Sequence, residues 1–116
     1  MKRTQQSLDS MRAMDAEQTA QRTKLGDRLE VAREVDHFLF FRHKSDARAA
    51  SVELNDDGFT SSIERKRLTW SVEAHTASDV ELDSVDRFVE HMFDLAHRHN
   101  GVYDGWGAPV ILKEQS

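Results

Sequence analysis

The sequence predicts a single α+β domain whose strands and helices follow the order βαββαβ. Three observations favour this order: a strongly apolar strand at 34–42, two alternating runs separated by a polar break at 65–67, and an amphipathic helix that begins near Leu82. A stretch rich in glycine and aromatic residues at 101–111 supplies the last strand. The length of 116 residues fits one domain.

The N-terminal region predicts a helical segment ahead of this domain. Residues 4–25 contain no Gly or Pro, and Leu8, Met11 and Met14 recur sparsely at helical spacing. Gly26 fits the C-cap of such a helix. We therefore divide the chain into an N-terminal helical segment over 1–29 and a domain over 30–116.

The first strand of the domain, EVDHFLFFR at 34–42, is the most hydrophobic segment. Leu39 and Phe41 alternate with Phe38 and Phe40, so both faces are apolar along most of the run. This pattern is typical of a central strand that is covered on both sides.

A short helix and a hairpin follow this strand. Ser45 fits the N-cap of the helix, and Gly58 fits its end. Alternation from Phe59 to Glu64 and again from Leu68 to Ala74 predicts two antiparallel strands around the basic run at 65–67.

The last helix carries the strongest helical periodicity in the chain. Its apolar residues fall at steps of three and four, and Asn100-Gly101 ends it. The apolar positions are Leu82, Val85, Phe88, Val89, Met92, Leu95 and Ala96.

This order of elements predicts a ferredoxin-like βαββαβ sandwich. Right-handed crossovers would place both helices on one face of a four-stranded antiparallel sheet, with the first and third strands in the centre. One sheet face would then lie open, and Phe38 and Phe40 would point into it. Three covers for these rings are possible, in order of preference: the N-terminal helix, a second copy of the chain, or a partner.

The segment after the last helix raises a separate question, because it holds three of the five glycines. Val102, Tyr103 and Trp106 favour a strand. Asp104-Gly105 predicts a bulge or turn that changes the direction of Trp106. The same residues, with their polar tips, are also candidates for a partner-binding rim.

The pattern Gly-x-Tyr-Asp-Gly-Trp-Gly at 101–107 resembles the C-terminal signature of the regulator of ribonuclease activity B (RraB) family. The similarity extends upstream through Leu25-Gly26-Asp27 and Arg33-Glu34-Val35, and so covers residues 15–111. It implies a ferredoxin-like fold and a role as an inhibitor of the endoribonuclease RNase E. Two features depart from the pattern: Ala32 stands where many relatives carry proline, and the sequence ends at Ser116 without a long acidic tail.

Charge and composition exclude several classes of function. The formal net charge of -5 disfavours a protein that coats nucleic acid. No apolar run approaches the length of a membrane span, and no secretory signal or cysteine is present, which fits the cytoplasm. We expect no cofactor.

Six histidines raise the question of metal binding or catalysis. His91 and Asp94 have a spacing that a metal pair could use, but a solvated helix face explains them better, so we expect no metal site. His37, between apolar neighbours, is expected to be a core histidine held by one hydrogen bond. No motif of a catalytic nucleophile or phosphate loop surrounds these residues, and we expect no enzymatic activity.

The sequence thus favours a cytoplasmic, non-catalytic regulator that binds an RNase E-like endoribonuclease. The candidate contact residues are Tyr103, Asp104, Trp106, Phe38 and Phe40. The alternative is a module that binds RNA or a small ligand on the open sheet face, although direct binding of nucleic acid is disfavoured by charge. A homodimer through the same face is a further possibility.

Overall fold

The computed structural model describes residues 7–112, which form three helices and one four-stranded sheet. The elements are α1 (Leu8–Lys24), β1 (Arg33–Phe41), α2 (Lys44–Asp56), β2 (Thr60–Arg65), β3 (Trp70–Ser78), α3 (Leu82–Arg98) and β4 (Gly101–Gly107). All strand pairs are antiparallel, and the strand order is β2-β3-β1-β4. The predicted ferredoxin-like fold, with β1 and β3 central, is confirmed.

The core lies between the sheet and the helices. The inward side of β1 is fully buried, because its alternate residues face α2 and α3. The helices contribute Ala47, Ala50, Leu54, Val85, Val89, Met92 and Leu95 to the same cluster. The small alanines of α2 let this helix approach the sheet closely.

Two predicted element ends differ from the structure. His43, not Ser45, is the N-cap of α2, because only two residues separate the end of β1 from the helix. Leu68 lies in the turn before β3 and is 83% exposed. The predicted ends at Gly26 and Gly58 are confirmed, since both adopt positive φ, 86° and 95°.

The prediction that β1 is covered on both sides is wrong. The helices cover one side only, and Phe38 on the other side is 37% exposed, while Phe40 is partly buried. We call this side of the sheet the open face. The two rings point into it, as the alternation along β1 predicts.

We preferred the N-terminal helix as the cover of the open face, but the helix does not lie on that face. α1 packs against α3, beside the edge strand β4, where Leu8 and Met11 join the core cluster. It therefore extends the helical layer past the edge of the sheet. Residues 1–6 of the predicted segment lie outside the described part of the chain. Within residues 7–112, no helix has the length and apolar character needed to cross a bilayer.

Candidate functional site

A bulge in β4 determines how the aromatic residues of the last strand are placed. Tyr103 lies opposite Leu39, and Gly105 lies opposite Phe38, so Asp104 is an extra residue between them. Gly105 has a φ of 117°, a backbone conformation that residues with a side chain rarely adopt. The predicted bulge at Asp104-Gly105 is confirmed.

The bulge brings Tyr103 and Trp106 to the same face of the sheet. Residues three apart in a regular strand point to opposite faces. The extra residue instead places Trp106 opposite His37, on the side that the helices cover. Gly101 has a different role: a Cβ there would lie 2.3 Å from the Phe41 ring, so the close approach of β4 to β1 needs a glycine.

Trp106 joins α1 to α3. Its indole N–H donates a hydrogen bond to Oδ1 of Asp15 in α1, at 3.1 Å between the heavy atoms. Its ring meets Phe88 of α3 edge to face, at 5.2 Å between centroids, and the Arg22 guanidinium lies 5.2 Å from the ring centre. The tryptophan is therefore half-buried between two helices rather than displayed at a free edge.

Tyr103 and His37 form a buried pair beneath this tryptophan. The tyrosine hydroxyl lies 2.9 Å from His37 Nδ1, and the two residues are 3% and 0% exposed. Burial lowers the pKa of His37 to about 4, so the imidazole is neutral near pH 7. Burial likewise raises the pKa of Tyr103, and the expected core histidine with one hydrogen bond is observed.

A groove of about 460 Å³ separates α1 from β4, and we call it the α1–β4 groove. Four of the five candidate contact residues from the sequence line it; Phe40 does not. Its walls are Met11, Met14, Asp15, Glu17, Gln18 and Gln21 of α1, Val89 of α3, Phe38 of β1, and Tyr103, Asp104, Gly105 and Trp106 of β4.

The groove is acidic. Asp15, Glu17 and Asp104 contribute carboxyl groups, and Asp104 and Glu17 are exposed. Burial raises the pKa of Asp15 despite the hydrogen bond from Trp106, and the nearby carboxyl of Asp86 adds to the shift.

The open face continues this acidic character beyond Phe38. Glu34 and Asp36 of β1, Glu64 of β2 and Glu73 of β3 share the face, as the strand register requires. Glu34, Asp36 and His75 offer ligand atoms within 4.8 Å of one another. His75 Nδ1 lies 2.5 Å from Asp36 Oδ1, so a direct hydrogen bond already accounts for their proximity.

His91, whose spacing to Asp94 a metal pair could use, stacks on Phe59, and its Nε2 lies 3.3 Å from a carboxylate oxygen of Asp57. His97 lies beside Phe93.

A buried ion-pair network holds the end of α1 in place. Asp27 accepts hydrogen bonds from Arg33 at 2.7 Å and from Arg22 at 3.0 Å. The same arginines donate to the carbonyl oxygens of Pro109 and Ala108 at 2.9 Å, directly after β4. This network fixes the end of α1 against the segment that follows β4.

The contribution of α1 to the groove is not apparent from the sequence. Its buried face consists of Met11, Asp15 and Arg22, so it lacks the apolar stripe that marks an ordinary docking helix. The contact from Asp15 to Trp106 spans 91 residues, which no local pattern reveals. The one sign in the sequence is that Met11, Asp15 and Arg22 recur at helical spacing, which places them on one face of a helix that is otherwise weakly amphipathic.

The family model described as Regulator of ribonuclease activity B matches residues 12–108. This range runs from α1 to the residue after β4, and so includes every lining residue of the groove except Met11. A comparison with curated proteins found no match. Because the family model covers most of the chain, the chain belongs to this family, which comprises regulators of a ribonuclease and is not itself catalytic.

Proposed function

We propose that this member of the regulator of ribonuclease activity B family is a non-catalytic regulator that binds an RNase E-like endoribonuclease. It acts by protein–protein contact that occludes or remodels the nuclease, in the bacterial cytoplasm. The observation that carries the proposal is the convergence of Phe38, Tyr103, Asp104 and Trp106 on the α1–β4 groove.

Charge supports a basic protein segment as the partner. The groove and the adjoining open face carry carboxylates from all four strands of the sheet and from α1. Such a surface attracts a segment rich in arginine and lysine and repels RNA phosphates. The RNA-binding parts of a ribonuclease are basic for the same physical reason.

The five candidate residues take different roles in this proposal. Phe38 and Asp104 are exposed enough to contact the partner directly. Phe40 extends the aromatic surface along β1. Tyr103 and Trp106 shape the groove from beneath, since the first is buried and the second is half-buried between helices.

The direct test is RNA cleavage by RNase E from the same organism while the full chain is titrated in. Isothermal titration against the non-catalytic half of the nuclease accompanies it. We expect stoichiometric binding with inhibition, and binding weakened about tenfold by Phe38→Ala, because aromatic anchors at interfaces contribute about 1–3 kcal/mol.

Leu68→Ala is the matched control, because Leu68 is exposed in the turn between β2 and β3. It should leave binding unchanged. Neither binding nor inhibition by the unaltered chain would refute the proposal.

Two other uses of the open face give distinct results. RNA binding that is lost in Phe38→Ala combined with Phe40→Ala would assign the surface to RNA. A dimer in sedimentation equilibrium that the same double variant dissociates would assign it to a second copy of the chain.

A further inference from the structure

Two buried acceptor atoms in the α1–β4 groove lack a hydrogen-bond donor among the described residues. They are Oδ2 of Asp15 and Oε1 of Gln18. Asp15 is only 8% exposed, and its other oxygen is the one that accepts the indole N–H of Trp106. One oxygen of the carboxylate therefore accepts a hydrogen bond, and the other has no donor among the described residues.

An unsatisfied buried carboxylate is costly to keep. A buried acceptor without a donor destabilises a protein by about 1–3 kcal/mol, and by more when it is charged. The Asp86 carboxyl increases this cost, because it lies close enough to oppose ionisation of Asp15. Native structures contain few such atoms, and those present require a physical explanation.

Neighbouring cations of the protein do not fill this role. Arg22 donates to Asp27 and to the Ala108 carbonyl oxygen. Arg12 donates to Glu90. The Nε atoms of both arginines have no partner among the described residues, so neither arginine serves Asp15. A donor from another molecule would complete the carboxylate.

We propose that the α1–β4 groove binds an arginine side chain of the protein partner, with the guanidinium donating to Asp15 Oδ2 and Gln18 Oε1. This inference rests on the proposed function, because it names the partner chemistry of the same site. A guanidinium presents several N–H donors in a rigid fork, which suits two acceptors that lie three residues apart on one helix.

The rest of the groove fits the same ligand. Glu17 and Asp104 add negative charge, and Met11 and Phe38 provide apolar surface for the aliphatic stem. The volume of about 460 Å³ leaves space for the flanking peptide as well as the side chain. An anionic ligand would meet carboxylates on both sides of the groove.

The indole N–H resonance of Trp106 is a direct probe of this site, because the indole is bonded to Asp15. The chain has two tryptophans, and Trp70 lies at the start of β3, so its resonance serves as an internal control. Trp70→Phe assigns the two signals. The experiment titrates the ¹⁵N-labelled full chain with acetyl-Gly-Arg-Gly-amide at neutral pH, up to about 20 mM, because a single side chain gives millimolar affinity.

We expect a saturable shift of the Trp106 signal and no shift of the Trp70 signal. The matched peptide with citrulline, which has nearly the same shape without the charge, should bind about tenfold more weakly. Equal shifts with both peptides, or no shift of the Trp106 signal, would overturn the proposal.

Asp15→Asn tests the assigned atom. Asparagine keeps an acceptor for the Trp106 indole but removes the charge, so arginine-peptide affinity should fall about tenfold. Asp9→Asn removes an exposed charge from the same helix outside the groove and should change affinity less than threefold. If Asp15→Asn folds, as its dispersed spectrum would report, and still binds like the unaltered chain, the proposal is wrong.

The two proposals fail separately. Arginine binding that depends on Asp15, without any effect on RNase E, would leave the groove chemistry standing and refute the nuclease as partner. Inhibition of RNase E without an arginine-dependent shift would leave the nuclease standing and overturn the groove assignment.

Discussion

Two buried aspartates in the N-terminal part of the chain have opposite surroundings. Asp27 receives donors on both oxygens: Arg33 donates to both, Arg22 donates to Oδ2, and the Ile111 N–H donates to Oδ1. Asp15 receives one donor on one oxygen. Asp27 therefore stabilises the fold, whereas Asp15 keeps one oxygen that a ligand could bind.

The pKa values of the two groups shift in opposite directions. Burial opposes ionisation of Asp27, but the hydrogen bonds from Arg33, Arg22 and the Ile111 N–H outweigh it and hold its pKa below the usual value. Burial raises the pKa of Asp15, because a single indole donor is too weak to compensate. The donors to Asp27 outweigh the cost of its burial, whereas the single donor to Asp15 does not.

The largest expected effect comes from Asp27→Asn, which leaves Arg22 and Arg33 buried without a counter-charge. We expect the free energy of unfolding to fall by about 3–5 kcal/mol in urea titrations. Glu30→Gln is the control, since Glu30 forms an exposed pair with Arg28 and should cost less than about 0.5 kcal/mol. A loss below about 1 kcal/mol for Asp27→Asn would contradict a structural role for the network.

His37 extends the comparison to a buried group that stays neutral. Its pKa is lowered from 6.5 to about 4. Below pH 6.5 the histidine therefore becomes protonated in the unfolded chain but stays neutral in the folded chain. Stability should therefore fall as the pH decreases from 6.5 to about 4. At about 1.4 kcal/mol for each pH unit, the loss is roughly 3 kcal/mol.

The measurement is urea unfolding at a series of pH values for the unaltered chain and for His37→Gln. Glutamine does not titrate and still offers an acceptor to the Tyr103 hydroxyl, so its profile should be flatter over this interval. Parallel profiles would show that another group causes the loss.

Trp106→Phe tests the one donor that Asp15 has. The change should destabilise the protein by about 1–3 kcal/mol, because it leaves the carboxyl buried with no donor among the described residues. A double-mutant cycle with Asp15→Ala, which removes the acceptor, isolates the hydrogen bond from the packing of the ring on Phe88. We expect a coupling of about 1 kcal/mol; a coupling of zero would show that the contact does not hold α1.

The smallest effect is opposite in sign. Asp15→Asn should raise the free energy of unfolding by about 0.5–1 kcal/mol at neutral pH, because it removes a buried charge that has only one hydrogen-bond donor. The folded pKa of Asp15 is raised, so the unaltered protein gains stability from this group as the pH falls through that value. The advantage of the variant should therefore disappear on acidification, and a constant advantage would contradict the assigned charge.

The sheet and its two covering helices could be predicted because their signals are local. Alternation in β1 and β3 and the apolar spacing of α3 each arise within one element, and they agree on one topology. The Asp104-Gly105 bulge was also accessible, since glycine inside a strand pattern is a recognised sign of irregular pairing.

The position of α1 could not be predicted because its contacts are polar and distant in sequence. Asp15 and Arg22 look like surface residues, and only Trp106, Asp27 and the backbone after β4 explain their burial. The roles of Tyr103 and Trp106 were hidden for a related reason. Composition marks them as interface residues, whereas their exposure depends on which helix packs over them.

The bulge in β4 also makes the length of the Tyr103–Trp106 segment more sensitive than its composition. Deleting Asp104 would leave Tyr103 and Trp106 two positions apart in a regular strand, still on one face, because strand side chains alternate with a period of two. Inserting one residue beside Asp104 would instead turn Trp106 into the open face, away from Asp15 and Phe88. A one-residue insertion near the end of the chain would thus release a helix near its beginning, whereas deletion of the bulged residue would leave that helix docked.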